Sequence, residues 1–191
     1  VDGHGTAEAF TSQPTTTVAN TNDAPTGSVQ INGTVRQGEA LQANTSQLAD
    51  ADGLGALTLR WQTSANGQQW TDVGSGGSYT PGETQVGLQL RLQVSYTDGF
   101  GTLETLNSTP VVVANLNDSP VGSVTLSGLV EQGQTLSLTA NLQDADGLGS
   151  FSYEWQRSSD GSNWSTVSGA QASSLSLDAS LVGQQLRALV R

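Results

Sequence analysis

Apolar residues along this chain come in short alternating or β-branched runs, separated by clusters of turn-forming residues. The clearest runs are Val29-Gln-Ile31, Leu57-Thr-Leu-Arg-Trp61, Leu88-Gln-Leu-Arg-Leu-Gln-Val94 and Pro110-Val-Val-Val-Ala114. A period of two sets alternate side chains on one face of a strand. No stretch sustains the 3.6-residue apolar period of a helix. Asn66-Gly67 and Asp160-Gly161 fall between the tryptophan pairs Trp61/Trp70 and Trp155/Trp164. They read as two-residue hairpin turns of the type I′ kind. The pattern predicts an all-β chain of short antiparallel strands. Nothing approaches the ~18 consecutive apolar residues of a membrane helix, so no membrane insertion is expected.

The pattern also repeats. Asn20-Thr-Asn-Asp-Ala-Pro-Thr-Gly27 returns as Asn115-Leu-Asn-Asp-Ser-Pro-Val-Gly122, and Ala51-Asp-Gly-Leu-Gly55 as Ala145-Asp-Gly-Leu-Gly149. Trp61-Gln62 returns as Trp155-Gln156, and Gly87-Leu-Gln-Leu-Arg91 as Gly183-Gln-Gln-Leu-Arg187. The opening Val1-Asp-Gly-His-Gly-Thr-Ala-Glu8 matches Thr97-Asp-Gly-Phe-Gly-Thr-Leu-Glu104. The period is about 95 residues. Residues 1–22 then read as the final strand and linker of one repeat, 23–117 as a complete repeat, and 118–191 as a repeat without its final strand. This phase implies a natural chain that continues in both directions. About seven short strands per repeat indicate tandem immunoglobulin-like or cadherin-like β-sandwiches, with Trp61 and Trp155 as core anchors.

Composition narrows the function. The 191 residues carry 6 Lys+Arg, 17 Asp+Glu, one His, no Cys and no Met, for a net charge of −11. Without Cys there are no disulfides, thiolate nucleophiles or thiolate metal sites. The basic residues are all single, scattered arginines, which cannot neutralise a run of phosphates, so nucleic acid is not an expected partner. No charged segment followed by an apolar one opens the sequence, so no signal peptide is expected within this stretch.

Ten of the 17 acidic residues fall in three recurring motifs. The linker supplies Asp23 and Asp118, and Asp-Ala-Asp-Gly supplies Asp50, Asp52, Asp144 and Asp146. Asp-Gly-x-Gly-Thr-x-Glu supplies Asp2, Glu8, Asp98 and Glu104. In a seven-stranded sandwich the incoming linker, the loop before the tryptophan strand and the last hairpin turn share one pole. Asn20 and Asn22 enter beside Asp23, as Asn115 and Asn117 enter beside Asp118. Glu104 shares strand parity with Leu106, and Glu8 with Phe10, which points both carboxylates inward. Acids gathered at one end repel one another without a cation. Six to eight hard oxygen ligands suit Ca²⁺, whereas Mg²⁺ takes fewer protein ligands and keeps its water. An EF-hand loop does not fit, because the twelfth position from Asp50 is Trp61 and not Glu.

These motifs resemble a known class. Asn-x-Asn-Asp-x-Pro looks like the cadherin linker motif, Asp50-Ala-Asp52 like the cadherin Asp-x-Asp motif, and Asp98 falls where cadherins place another acidic ligand. The fuller pattern adds Gln-Gly, Trp-Gln-x-Ser, Asn/Asp-Gly-x-x-Trp and Tyr-Thr-Asp-Gly-x-Gly-Thr-x-Glu. It is similar to tandem repeats of giant RTX-type bacterial surface adhesins exported by type I secretion. The resemblance implies extracellular, Ca²⁺-rigidified spacers that hold a terminal binding domain away from the cell for adhesion or biofilm formation. The chain departs from cadherins in having Asn20 and Asn115 where Asp is common. Acids from a preceding domain have only loose counterparts in Glu39, Glu83, Glu131 and Asp178.

Two other function classes are a binding module and an enzyme. A binding module would grip a glycan or host protein through a loop such as Gly74-Ser-Gly-Gly-Ser-Tyr79, where the repeats differ. An enzyme is not expected: the repeat counterpart of His4 is Phe100, so no triad recurs. Finally, the unmatched final strand suggests that residues 1–20 of one molecule complete the last repeat of another. In that arrangement Asp2 and Glu8 would join Asn115, Asn117, Asp118, Asp144 and Asp146.

Overall fold

A computed structural model describes residues 3–5 and 7–191, and the chain divides into two compact units, Val1–Asn115 and Leu116–Arg191. In the first unit, residues 7–25 have no regular secondary structure. Eight strands follow: β1 (Gln30–Asn32), β2 (Leu41–Asn44), β3 (Thr58–Ser64), β4 (Thr71–Ser75), β5 (Ser78–Tyr79), β6 (Gln89–Thr97), β7 (Leu103–Asn107) and β8 (Val111–Val112). They form two antiparallel sheets. One has the order β1-β2-β5; the other runs β4-β3-β6-β7, with β8 also paired to β6. One core of Leu41, Trp61, Leu90, Leu92, Val94 and their neighbours draws on both sheets. The unit is therefore a β-sandwich.

The predicted alternation is plain in β6, where Leu90, Leu92, Val94 and Tyr96 are buried and the residues between them are less so. Trp61 can be fully buried because its indole N–H finds an acceptor. It donates to the Gly76 carbonyl at 3.0 Å, and its ring stacks on Tyr79 at 5.6 Å. Residues 74–79, the loop considered above for ligand binding, are thus engaged with the core. Gly77 also accepts from the Ala43 N–H at 2.8 Å.

The second unit has six strands: β9 (Val121–Ser127), β10 (Thr135–Gln143), β11 (Tyr153–Ser158), β12 (Ser165–Thr166), β13 (Ser174–Ser176) and β14 (Gln185–Val190). Its sheets run β13-β10-β9 and β12-β11-β14, again antiparallel. Trp155 is fully buried in its core and donates to the Ala172 carbonyl at 2.9 Å.

The hairpins after the tryptophan strands differ from expectation. A type I′ turn requires positive φ at both central residues, yet only glycines have positive φ among the described residues. Six residues separate β3 from β4 and, likewise, β11 from β12. Side chains build the loop instead. Ser64 Oγ accepts from the Asn66 and Gly67 N–H groups, and Asn66 Oδ1 accepts from those of Gln68 and Gln69. Ser158 and Asp160 repeat these bonds. The loop seats Trp70 under the Arg91 guanidinium, 4.1 Å from the ring centre, and Gln62 Oε1 accepts from Arg91 Nε at 2.9 Å. Trp164, Arg187 and Gln156 reproduce this clamp at 4.4 Å and 2.7 Å. Three separate sequence motifs thus serve one local structure.

Trp61→Ala empties the centre of the first unit's core and is expected to cost about 3–5 kcal/mol. The measurement is the urea midpoint of that unit's transition; an unchanged midpoint would contradict this assignment of the core.

Candidate metal centre

Three segments of the first unit bring acids to one end of the sandwich. The loop between β2 and β3 carries Asp50 and Asp52. Asp50 Oδ1 accepts from the Asp52 N–H at 2.8 Å, closing a side-chain turn that fixes the spacing of the two carboxylates. The incoming linker docks on this loop, because the Asp23 N–H donates to Asp52 Oδ2 at 2.7 Å. Asn22 reaches a different element, its Nδ2 donating to Glu104 Oε1 at 2.8 Å.

The turn joining β6 to β7 carries Asp98. Its Oδ1 accepts from the Phe100 and Thr102 N–H groups at 2.9 and 2.8 Å. The following residue must be small: the Gly99 N–H donates to the Asp52 carbonyl at 3.0 Å, and a Cβ there would stand 2.5 Å from that oxygen. The backbone contact fastens the Asp98 turn to the Asp52 loop. On β7, Glu104 lies directly opposite Tyr96. Glu104 and Leu106 are partly buried while their neighbours are exposed, and Leu106 packs on the core.

Asp52 and Asp98 are both buried, at 8% and 6% exposure. Asp98 Oδ2 has no hydrogen-bond partner. A buried carboxylate oxygen without a donor is costly unless a cation or other partner meets it. Burial pushes the Asp98 carboxyl upward, but hydrogen bonds from Thr102, Phe100 and Gly101 outweigh this and hold it below the ordinary 3.8. It is an anion at neutral pH. The Tyr96 hydroxyl is pushed well up by burial, by its hydrogen bond to Asp50 Oδ2 at 2.5 Å, and by the charges of Asp50, Glu104 and Asp98. Tyr96 thus stays protonated and donates into the acidic cluster.

The structure brings together Asn22, Asp23, Asp50, Asp52, Asp98 and Glu104; Asn20, Asn22 and Asp23 of the linker are all exposed. In this unit no three acidic side chains, among the described residues, place oxygens within 4.8 Å of one another. Asp52, Asp50 and Glu104 each turn an oxygen to an N–H or O–H donor. The carboxylates at this end, the orphaned Asp98 Oδ2 among them, offer only hard oxygen atoms. Tyr96 was missed by the sequence reasoning. The signal for it was its inward parity on β6, which puts a hydroxyl at the buried end beside Asp50.

The second unit repeats two of these bonds: the Asp118 N–H donates to Asp146 Oδ2 at 2.7 Å and the Asp146 N–H to Asp144 Oδ1 at 2.9 Å. Asn117 differs from Asn22, its Nδ2 donating to the Asp118 carbonyl at 2.8 Å. Carboxylate oxygens of Asp118 and Asp146 lie within 4.8 Å of each other. Asp146 is exposed where Asp52 is buried, and Asn115 is exposed. Of the acids at the start of the chain, Glu8 is exposed and Asp2 lies outside the described residues.

A carboxyl whose folded pKa is depressed stabilises the fold above its unfolded pKa, and that contribution is lost as pH falls through the folded value. The first unit is therefore expected to lose stability as acid is added below about pH 4, and Asp98→Asn to flatten this slope. Urea midpoints at a series of acid pH values measure it; parallel slopes in the two proteins would contradict the assignment. No family model matches the chain, and no curated protein matches it.

Proposed function

We propose that this chain is made of calcium-rigidified structural repeats of a bacterial cell-surface adhesin, extracellular spacers that project a distal binding domain for adhesion or biofilm formation. The observation that carries the calcium reading is the buried, unpartnered Asp98 Oδ2 at an end where Asp50, Asp52 and Glu104 converge. The adhesin reading rests on the motif resemblance, with its acidic linkers and repeated Asp-Ala-Asp-Gly and Asp-Gly-x-Gly-Thr-x-Glu segments.

The mechanism is mechanical and not catalytic. A cation held by Asp98 and Asp52 would tie the last hairpin turn to the loop before β3. Since the Asp23 N–H is bonded to Asp52, the same ion would also fix the incoming chain. Asp118 and Asp146 offer the same coupling for the linker that enters the second unit. Without the ion, repulsion among the carboxylates loosens both. Neighbouring repeats of the same chain are the partners of such a device.

At free Ca²⁺ of 100 times Kd, one site adds about 2.7 kcal/mol to the folded state. Melting temperature and small-angle scattering should therefore be compared in Ca²⁺ and in chelator. The expected result is a higher melting temperature and a stiffer particle with the ion, both largely lost in an Asp52→Asn/Asp98→Asn variant. Identical curves with and without Ca²⁺ would remove the proposal.

A further inference from the structure

The four acids at the end of the first sandwich are not equivalent. Asp98 gives Oδ1 to the N–H groups of its own turn, and its buried Oδ2 meets no donor. Asp52 gives Oδ2 to the Asp23 N–H, and Glu104 gives Oε1 to Asn22. Among the described residues, each of these three therefore accepts from the protein on one carboxylate oxygen only. Asp50 accepts on both, Oδ1 from the Asp52 N–H at 2.8 Å and Oδ2 from the Tyr96 hydroxyl at 2.5 Å.

The two donors to Asp50 belong to different parts of the fold. Tyr96 is 2% exposed and is a member of the hydrophobic core, so packing holds its hydroxyl in place. The Asp52 N–H belongs to the loop between β2 and β3. Asp50 thus ties that loop to the core through one side chain. The result is seen at Asp52 itself. Its N–H is held by Asp50, its carbonyl by the Gly99 N–H and its Oδ2 by the Asp23 N–H. Only Oδ1 is left over, on a carboxylate that is 8% exposed and fixed from three sides.

A ligand brings an oxygen to a cation, whereas a support holds the ligand still, and losing a support lowers metal affinity about 10–100-fold. We infer that Asp50 and Tyr96 are positioning residues of the calcium site, with Asp52 Oδ1, Asp98 Oδ2 and Glu104 Oε2 left to meet the ion. The inference rests on the calcium reading and sharpens it: in Asp50-Ala-Asp52 the second acid binds and the first orients it. Backbone carbonyls or water would bring the three carboxylates up to the six to eight oxygens that Ca²⁺ takes.

The test is calorimetric Ca²⁺ titration of the whole chain in an Asp144→Asn/Asp146→Asn background, which leaves the first unit's residues unaltered. Asp52→Asn and Asp98→Asn are expected to abolish measurable binding there. Asp50→Asn keeps an oxygen for the Asp52 N–H and is expected to weaken binding less than about tenfold, whereas Asp50→Ala frees Asp52 and costs about 10–100-fold. Tyr96→Phe removes only a hydroxyl, so it tests the same link even where Asp50→Ala does not fold. It is expected to weaken binding about tenfold alone and no further in Asp50→Ala, because the two residues act in series. Urea midpoints in chelator establish which variants are folded.

Binding lost in Asp50→Asn as fully as in Asp52→Asn would make Asp50 a ligand, overturning the inference while the calcium reading stands. Asp50→Ala and Tyr96→Phe proteins that bind as the background protein does would overturn it too. No Ca²⁺ uptake by the unaltered first unit would remove the calcium reading, and this inference with it.

Discussion

The end of the first sandwich is organised around a carboxylate that is buried and still charged. Asp98 spends one oxygen on the N–H groups of its own turn and leaves the other without a donor. A buried anion held by the backbone of its own turn is a constraint on everything near it. Gly99 must be glycine so that the turn can close on the Asp52 carbonyl. The Asp50–Asp52 turn, the docking of Asp23 and the inward Glu104 all place further oxygens at that end. The proposed cation would neutralise these acceptors and join the segments that carry them.

The rest of the fold relies on side chains holding loops in place, in a protein with few large hydrophobic residues. Both tryptophans of each repeat have their indole N–H satisfied. Arg91 and Arg187 are held over the outer tryptophans by a glutamine on the neighbouring strand. Such clamps use directional bonds where apolar volume is scarce, and they recur with nearly the same distances in both units. The repeat therefore conserves interactions between elements as well as the elements themselves.

Much of this was legible in the sequence because period two and a repeated acidic motif are local signals. The alternation of Leu88–Val94 became β6, and Leu57–Trp61 became part of β3. The meeting of Asp23, Asp50, Asp52, Asp98 and Glu104 follows from where a linker, a loop and a hairpin turn lie in a sandwich. The hairpin type was not legible. Asn-Gly favours a type I′ turn only when nearby side chains do not compete for the backbone, and Ser64 and Asn66 do compete. Tyr96 was hidden because an inward aromatic counts as core, and only the position of Asp50 reveals its hydroxyl as a donor.

The central claim is that the cluster of oxygens around Asp98 binds calcium. The most direct measurement is an anomalous difference map from crystals grown in Ca²⁺. The account requires a peak about 2.3–2.6 Å from Asp98 Oδ2, with further oxygen ligands from Asp50, Asp52 or Glu104. A map without a peak at that carboxylate, or with calcium bound only elsewhere on the chain, would contradict it.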